Sequence, residues 1–197
     1  MPSRTFSPLR STSNSSLRNH FLLAMPALDQ GIFSHSITYI CEHGESGAMG
    51  IIINQPLELS VEDIFQHLGV KSHDGFQDVP VMAGGPVQID HGFVLHRSCH
   101  SQFEASLKVT DDINLTTSRD ILRALADGSG PQENLIALGY AGWAAGQLEH
   151  ELAENSWLTL PADAEIIFNT PCHLRMGAAA AKLGVDMNLI SGQPGHA

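Results

Sequence analysis

The sequence predicts an α+β fold, one domain in which helices pack outside a mixed sheet. Three observations carry this. Runs rich in Ile, Val and aromatic residues recur, either alternating with polar residues or as unbroken apolar stretches. Segments with apolar residues three and four apart fall between them, but without strict strand–helix alternation. Several neighbouring runs are joined by polar, glycine-containing connections that suit hairpins. With 197 residues, 43% of them hydrophobic, the chain can fill one core and hardly two.

Order begins at His20. The run His20 to Pro26 is apolar and ended by proline, so it reads as a strand. Ile37 to Cys41 is β-branched and aromatic and reads as a second. Ala48 to Asn54 is apolar throughout, as expected of a central strand, and Gln55-Pro56 closes it. The polar link Glu42 to Gly47 makes these two a hairpin.

From Ser60 to Leu68 the period changes. Val61, Ile64, Phe65 and Leu68 share a helical face, Ser60 and Asp63 form a capping box, and Gly69 suits the position past the helix end. A polar loop, Val70 to Val79, follows. Val81 to Ala83 leads into the turn Gly84-Gly85-Pro86, and Gly92 to His96 and Ser106 to Thr110 read as strands. Thr117 caps the clearest helix, which runs to Asp127 with Ile121, Leu122, Leu125 and Ala126 on its apolar face. Asn134 to Tyr140 is a buried strand. Trp143 to Asn155 is expected to be an amphipathic helix, with Ala141, Ala145, Leu148 and Leu152 along one side. Glu165 to Phe168 reads as the last strand. Thr170-Pro171 then starts a helix that ends near Leu183 and Gly184, and a Gly- and Pro-containing tail runs from Ser191 to Ala197.

The charge is −11, from 10 cations and 21 acids. Such a balance disfavours an extended grip on nucleic-acid phosphates, which needs clustered Lys and Arg. Met1 to Arg18 carries Arg4, Arg10 and Arg18 and no acid. It is rich in Ser and Thr, lacks the apolar region of a secretion signal, and reads as a disordered leader of little consequence for stability. Residues 19–197 form the single domain, with seven cations against 21 acids and a charge of −14. No apolar run approaches the roughly 20 residues that span a bilayer. Three unpaired cysteines, Cys41, Cys99 and Cys172, fit a reducing cytoplasm rather than a disulfide framework.

No pattern of catalytic residues stands out. Gly84-Gly85-Pro86 offers backbone N–H groups to an anion or is simply a tight turn; Pro86 removes one such group. The cluster Gly139, Gly142 and Gly146 reads as an anion site at a helix start or as close strand–helix packing. Each cysteine has a neighbouring histidine, and Cys41 and His43 share a strand face, but no metal-ligand spacing occurs. Cys99 beside His100 is not a dyad, since adjacent side chains on a strand point apart. Glu149, Glu151 and Glu154 offer paired carboxylates or a solvated helix face. Asn54, Asp90 and His96 border predicted strands, where sites often form. Only Arg119 and Arg123 share a helical face that DNA could meet.

Laid in order, these segments resemble the AlgH/YqgE family of bacterial proteins. The carrying motifs are Phe21-Leu-Leu-Ala-Met-Pro26, Gly50-Ile-Ile-Ile-Asn54-Gln-Pro56, Gly84-Gly-Pro-Val87, Gly92-Phe-Val-Leu-His96, Thr117-Ser-Arg-Asp120, Leu138-Gly-Tyr-Ala-Gly-Trp143 and Gly146-Gln-Leu-Glu149, with the ending Gly195-His-Ala197. The likeness runs from about His20 to the end. Arg175-Met176 departs from the family's usual Arg-Trp, and Phe103 stands near where the family usually has Trp. Both look like packing substitutions. The resemblance implies a partly barrel-like sheet surrounded by helices, and in one branch a transcriptional regulator linked to alginate production. It supplies no reaction, cofactor, metal or catalytic set.

The expectation is a cytoplasmic, non-catalytic regulatory or accessory protein that acts through another protein. Direct DNA binding is the alternative, disfavoured by charge. A small-ligand binder or enzyme with a glycine-rich pocket is a third reading. Motif glycines and polar strand ends coincide at Asn54, Gly84, Gly85, His96, Gly139 and Gly142, the candidate pocket. No cofactor, metal or membrane contact is expected.

Overall fold

The computed structural model describes residues 16–28, 31–73 and 75–185. The tail expected from Ser191 to Ala197, and the first fifteen residues of the expected leader, lie outside the described residues.

The elements are β1 (His20–Ala24), β2 (Ile37–Gly44), β3 (Gly47–Ile52), β4 (Pro56–Ser60), α1 (Val61–His67), β5 (Pro80–Ala83), β6 (Val87–Arg97), β7 (Ser106–Lys108), β8 (Ile113–Thr116), α2 (Arg119–Ala126), β9 (Asn134–Ala144), α3 (Gln147–Ala153), β10 (Trp157–Pro161), α4 (Ala164–Phe168) and α5 (Cys172–Lys182). The strands join in the order β10-β1-β2-β3-β9-β6-β8-β7. Off this path β4 pairs β5, and β5 runs parallel to β9; the other pairings are antiparallel. The class is α+β, as the sequence predicts.

Strand β9 couples the two halves of the sheet. Its end, Ala141 to Ala144, pairs β3, and the stretch from Asn134 to Tyr140 pairs β6. In β6 the register shifts between Val87 and Gly92, a bulged stretch that bends the strand. The sheet therefore curls into a half-barrel. Phe21, Tyr39 and Ile51 from one half meet Leu95 and Leu115 from the other in one core inside the curl. Ile166, Ile167, Ala179 and Ala180 of α4 and α5 complete it. Outside the curl, α1 and α2 place Phe65, Ile121 and Leu125 against Val81, Val94 and Ile136. Helix α3 packs Leu148 against Trp143, Trp157 and Leu22.

The β2–β3 hairpin, α1 and α5 follow the sequence pattern. Ser60 accepts the Asp63 N–H while Asp63 accepts the Ser60 N–H, the reciprocal cap its spacing predicts. Other segments differ. The strand expected to run to Asn54 ends at Ile52, before Gln55-Pro56, and Pro56 opens β4; β8 and β10 have no counterpart in the expected elements. Glu165 to Phe168 is helix, not strand: the Asp163 carboxylate accepts the Glu165 N–H at 2.9 Å and starts a turn there. Trp143 and Ala144 continue β9, so Ala141 and Ala145 lie on no helix. At α2 the cap is Ser118 rather than Thr117, and its hydroxyl donates to Asp120 instead of accepting a helix N–H. Pro171 is the cap of α5, not its first helical residue.

Ser16, Leu17 and Arg18, placed in the leader by the sequence, are tied to the sheet. Ser16 Oγ donates to the His43 carbonyl at 3.0 Å, Leu17 N–H to His43 Nδ1 at 2.8 Å, and Arg18 Nε–H to the Val109 carbonyl at 2.8 Å.

Candidate functional site

The Arg18–Val109 bond brings the chain ahead of β1 to the far edge of the curl, beside β7. The half-barrel stays open there, and a groove of about 1000 Å³ forms its mouth. Residues of six strands, β2, β3, β6, β7, β8 and β9, line it, with alternate side chains turned inward. Met49, Phe93, Leu107, Leu115 and Tyr140 make an apolar floor, with the Phe93 and Tyr140 rings edge to face at 5.5 Å. Arg18, Glu42, Gln88 and Thr117 make a polar rim. Strand β7 pairs only β8 among the described strands, so its other edge borders the mouth.

On the outer face of these strands a chain of hydrogen bonds leads to a buried histidine. His96 Nδ1 lies 2.8 Å from the Arg97 carbonyl, which can only accept, so Nδ1 carries the proton. Nε2 is then an acceptor and takes the Thr116 hydroxyl at 2.8 Å. Thr116 Oγ1 in turn accepts from Ser106 Oγ at 2.7 Å. Burial pushes the His96 pKa down, which keeps the ring neutral and the chain in this direction. Thr116 and Ser106 stand in register with Val94 on the outer face, opposite Leu115 and Leu107, so Ser106 Oγ points away from the mouth.

Behind the β2–β3 hairpin a second network fixes the rim. His43 accepts the Leu17 N–H at Nδ1, so its proton sits on Nε2, which donates to Glu149 Oε1 at 2.8 Å. The Glu149 carboxyl is held below its ordinary value, first by its own backbone N–H and then by His43. Glu151 accepts both indole N–H groups, Trp143 and Trp157. Two of the three helix carboxylates therefore have structural partners inside the fold, and Glu154 pairs His150 on the surface at 3.5 Å.

The six residues of the candidate pocket separate. Gly142 alone lines the mouth. Gly84, Gly85 and Gly139 mark a backbone crossing: a Cβ on Gly85 would lie 2.0 Å from the Tyr140 carbonyl carbon, and one on Gly139 would lie 2.4 Å from the Gly85 oxygen. Gly84 N–H donates to the Leu138 carbonyl at 2.8 Å, and its own carbonyl accepts the Ile52 N–H at 2.9 Å. Gly139 and Gly142 lie inside β9, not at a helix start. Asn54 is a clamp between segments, accepting the Ile37 N–H and donating to the His35 carbonyl, each at 2.9 Å. His96 is buried on the outer face of the sheet, bonded to Thr116, and does not line the mouth.

Cys41 and His43 do not share a face. The β2–β3 register shifts between Ile40 and Glu42, so Cys41 enters the inner core with Tyr39 while His43 turns to Glu149 on the outer side. Burial, followed by the nearby Glu42 charge, pushes the Cys41 thiol up, away from its reactive form. Among the described residues no three His, Cys, Asp or Glu side chains converge on one point. No described helix is long and apolar enough to cross a membrane. No motif announces the mouth, since its residues come from distant stretches of chain; the clue was alternation in Gly92 to His96 and Ser106 to Thr110.

Comparison with known proteins places this architecture among relatives. A family model described as AlgH-like matches residues 21–188. A UPF0301 protein of Thioalkalivibrio sulfidiphilus is 53% identical over 186 residues, covering 94% of this chain and 100% of its own. One from Nitrosococcus oceani is 53% identical over 181 residues, covering 91% and 96%. The solution structure of the AlgH protein from Pseudomonas aeruginosa matches with a TM-score of 0.77 at 44% identity, over 96% of this chain and 100% of that one. A crystal structure of a protein from Corynebacterium diphtheriae gives 0.71 at 16% identity, over 91% and 94%, a likeness of fold alone.

Proposed function

The chain belongs to the AlgH-like family, and from that premise we propose that it is a cytoplasmic, non-catalytic regulatory or accessory protein that receives a segment of a partner protein at the mouth of its half-barrel. The mouth itself carries this reading. It is concave, with an aromatic floor and a polar rim, as binding sites at barrel mouths are. It lies open along the edge of β7, which suits an extended chain. His43, which lines it, supports binding over chemistry, since both its ring nitrogens are used in bonds within the fold. A charge of −11, with Arg18 the one Lys or Arg among the residues lining the mouth, supports a protein partner over direct contact with DNA.

Site-specific photo-crosslinking in the producing cell tests this. A crosslinker at Glu42 on the rim should trap one protein that a crosslinker at Leu174, exposed on α5, does not. Gln88→Trp, which crowds the mouth, should abolish the adduct. Equal adducts at both positions, or none at Glu42, defeat the proposal. Tight, sequence-selective binding of promoter DNA at low salt would favour the regulator that contacts DNA directly. A thermal shift with a metabolite, lost in the Gln88 variant, would favour a small ligand.

A further inference from the structure

A second groove of about 490 Å³ lies on the outer side of the molecule, between α1 and the β4–β5 ribbon. Its floor is apolar. Leu57, Leu59, Val79 and Pro80 line it, and Leu57 and Val79 are 36% and 40% exposed, two of the molecule's few large hydrophobics that reach solvent. The two line one groove, so their exposed apolar surface is gathered rather than scattered. The polar residues around them all lean one way. Glu58, Glu62, Asp63 and Asp78 line the groove, and no Lys, Arg or His does. Two of these acids have partners inside the fold: Asp63 closes the cap of α1, and Glu62 accepts from Gln66 and Ser72. Glu58 and Asp78 are exposed, in no ion pair among the described residues.

We propose that this groove docks a basic segment of a partner protein, taking the aliphatic stems of Lys or Arg along Leu57, Leu59 and Val79 and their cationic ends at Glu58 and Asp78. Such side chains are apolar along the stem and charged at the tip, which is the pattern the groove presents. Uniform negative charge selects against acidic chains and steers basic ones in. The surface is separate from the barrel mouth, since no residue lines both. A competing account treats the features as protection of an edge strand. Pro56, Glu58 and the irregular β4–β5 register would blunt unwanted pairing. That account explains the charge on β4 but not the exposed Val79 or the acid at Asp78 across the groove.

The full chain, with fluorescence anisotropy of labelled alternating peptides of about eight residues, decides between them. A Lys–Val peptide should bind, and a Glu–Val peptide should not. Glu58→Lys with Asp78→Lys should weaken the Lys–Val peptide about tenfold or more. Leu57→Ser should weaken it at about 500 mM salt, where the charge contribution is screened. Gln88→Trp at the barrel mouth should leave it unchanged, so failure here and failure of the mouth reading are separable. All variants sit on exposed or rim positions, and matching thermal melts confirm folding. Equal binding of a Lys–Ser peptide, with both lost at high salt, reduces the groove to an acidic face and overturns the proposal. So does no binding, or self-association of the chain that Leu57→Asp abolishes, which would assign the groove to a second copy.

Discussion

Trp143 and Trp157, from the end of β9 and the start of β10, share one hydrogen-bond acceptor. Both indole N–H groups donate to Glu151 Oε2, each at 2.8 Å, and the two rings meet at 6.0 Å, close to perpendicular. Phe33 completes the cluster, 5.7 Å from Trp157. These are the chain's only tryptophans, so one carboxylate governs its whole indole fluorescence. Glu151→Ala should cost about 2–3 kcal/mol, since it orphans two largely buried donors. Glu151→Gln keeps an acceptor and should cost about half as much. Urea melts followed by tryptophan emission check both, and unchanged midpoints would show the carboxylate to be a bystander.

The glycine crossing makes a sharp contrast within one sheet. Gly139 has a φ of +73°, and a Cβ there would strike the Gly85 oxygen at 2.4 Å. Gly139→Ala should cost more than about 3 kcal/mol, because backbone, not a pliable side chain, stands in the way. Gly92 on β6 belongs to an equally recognisable motif, yet nothing lies within 4 Å of its would-be Cβ. Gly92→Ala should change stability by less than about 0.5 kcal/mol. Thermal melts of the two variants, side by side, measure the difference between a glycine the fold requires and one it merely contains.

Where the sequence was legible, local chemistry and tertiary contacts agreed. Ser60 and Asp63 announce α1 by their spacing, and the apolar run before Asn54 announces a central strand. Glu165 to Phe168 misleads because two adjacent isoleucines favour a strand, while both are buried from a short helix against the core. The cue lay just outside, in the cap residue Asp163. Trp143 misleads differently. Its neighbours Ala141, Ala144 and Ala145 favour helix, but pairing with β3 extends the strand through Ala144. The motif glycines were visible, yet glycine signals closeness without saying whether backbone or ligand approaches. The mouth was invisible as a site because six strands assemble it.

Acid should weaken the α2 junction. Asp120 accepts the Glu104 and Ile121 N–H groups and the Ser118 hydroxyl. Burial raises its pKa, but these bonds outweigh burial and leave it below the ordinary aspartate value. A carboxyl whose folded pKa is lowered contributes stability above its unfolded pKa of about 3.9, and that contribution is lost as pH falls through the folded value. Asp120→Asn should therefore be less stable than the parent at about pH 7, with the gap closing as pH falls through the lowered folded pKa. Denaturant midpoints across that range test the sign; a gap that widens on acidification would contradict it.

The His43 network predicts a local effect rather than a global one. Leu17 N–H is protected only by His43 Nδ1. His43→Ala removes that acceptor and frees Glu149. Amide exchange at Leu17 should rise to the rate of an open chain, while amides in β1 and β2 keep their protection. Matching acceleration at Phe21 and Tyr39 would mean that the tether supports the sheet rather than merely resting on it.

Thr38 offers a substitution that should stabilise. Its hydroxyl is fully buried on β2 with no hydrogen-bond partner among the described residues, and Ser36 Oγ, two residues earlier on the same face, is in the same position. An unpaired buried hydroxyl carries a desolvation cost that nothing returns. Thr38→Val keeps the branched shape and removes the oxygen, and so should add about 1 kcal/mol. The methyl must fit, however. Gly50, which pairs Ile40, lies diagonally across from Thr38, with the Thr38 Cγ2 only 2.8 Å from where a Gly50 Cβ would stand, so the strand pair is already close there. The new methyl replaces the hydroxyl on the other branch, away from that contact if the χ1 rotamer is retained. Urea melts of the single variant read the outcome. A loss of stability would show that the Thr38 hydroxyl has a partner in solution, such as a buried water bridging it to Ser36 Oγ.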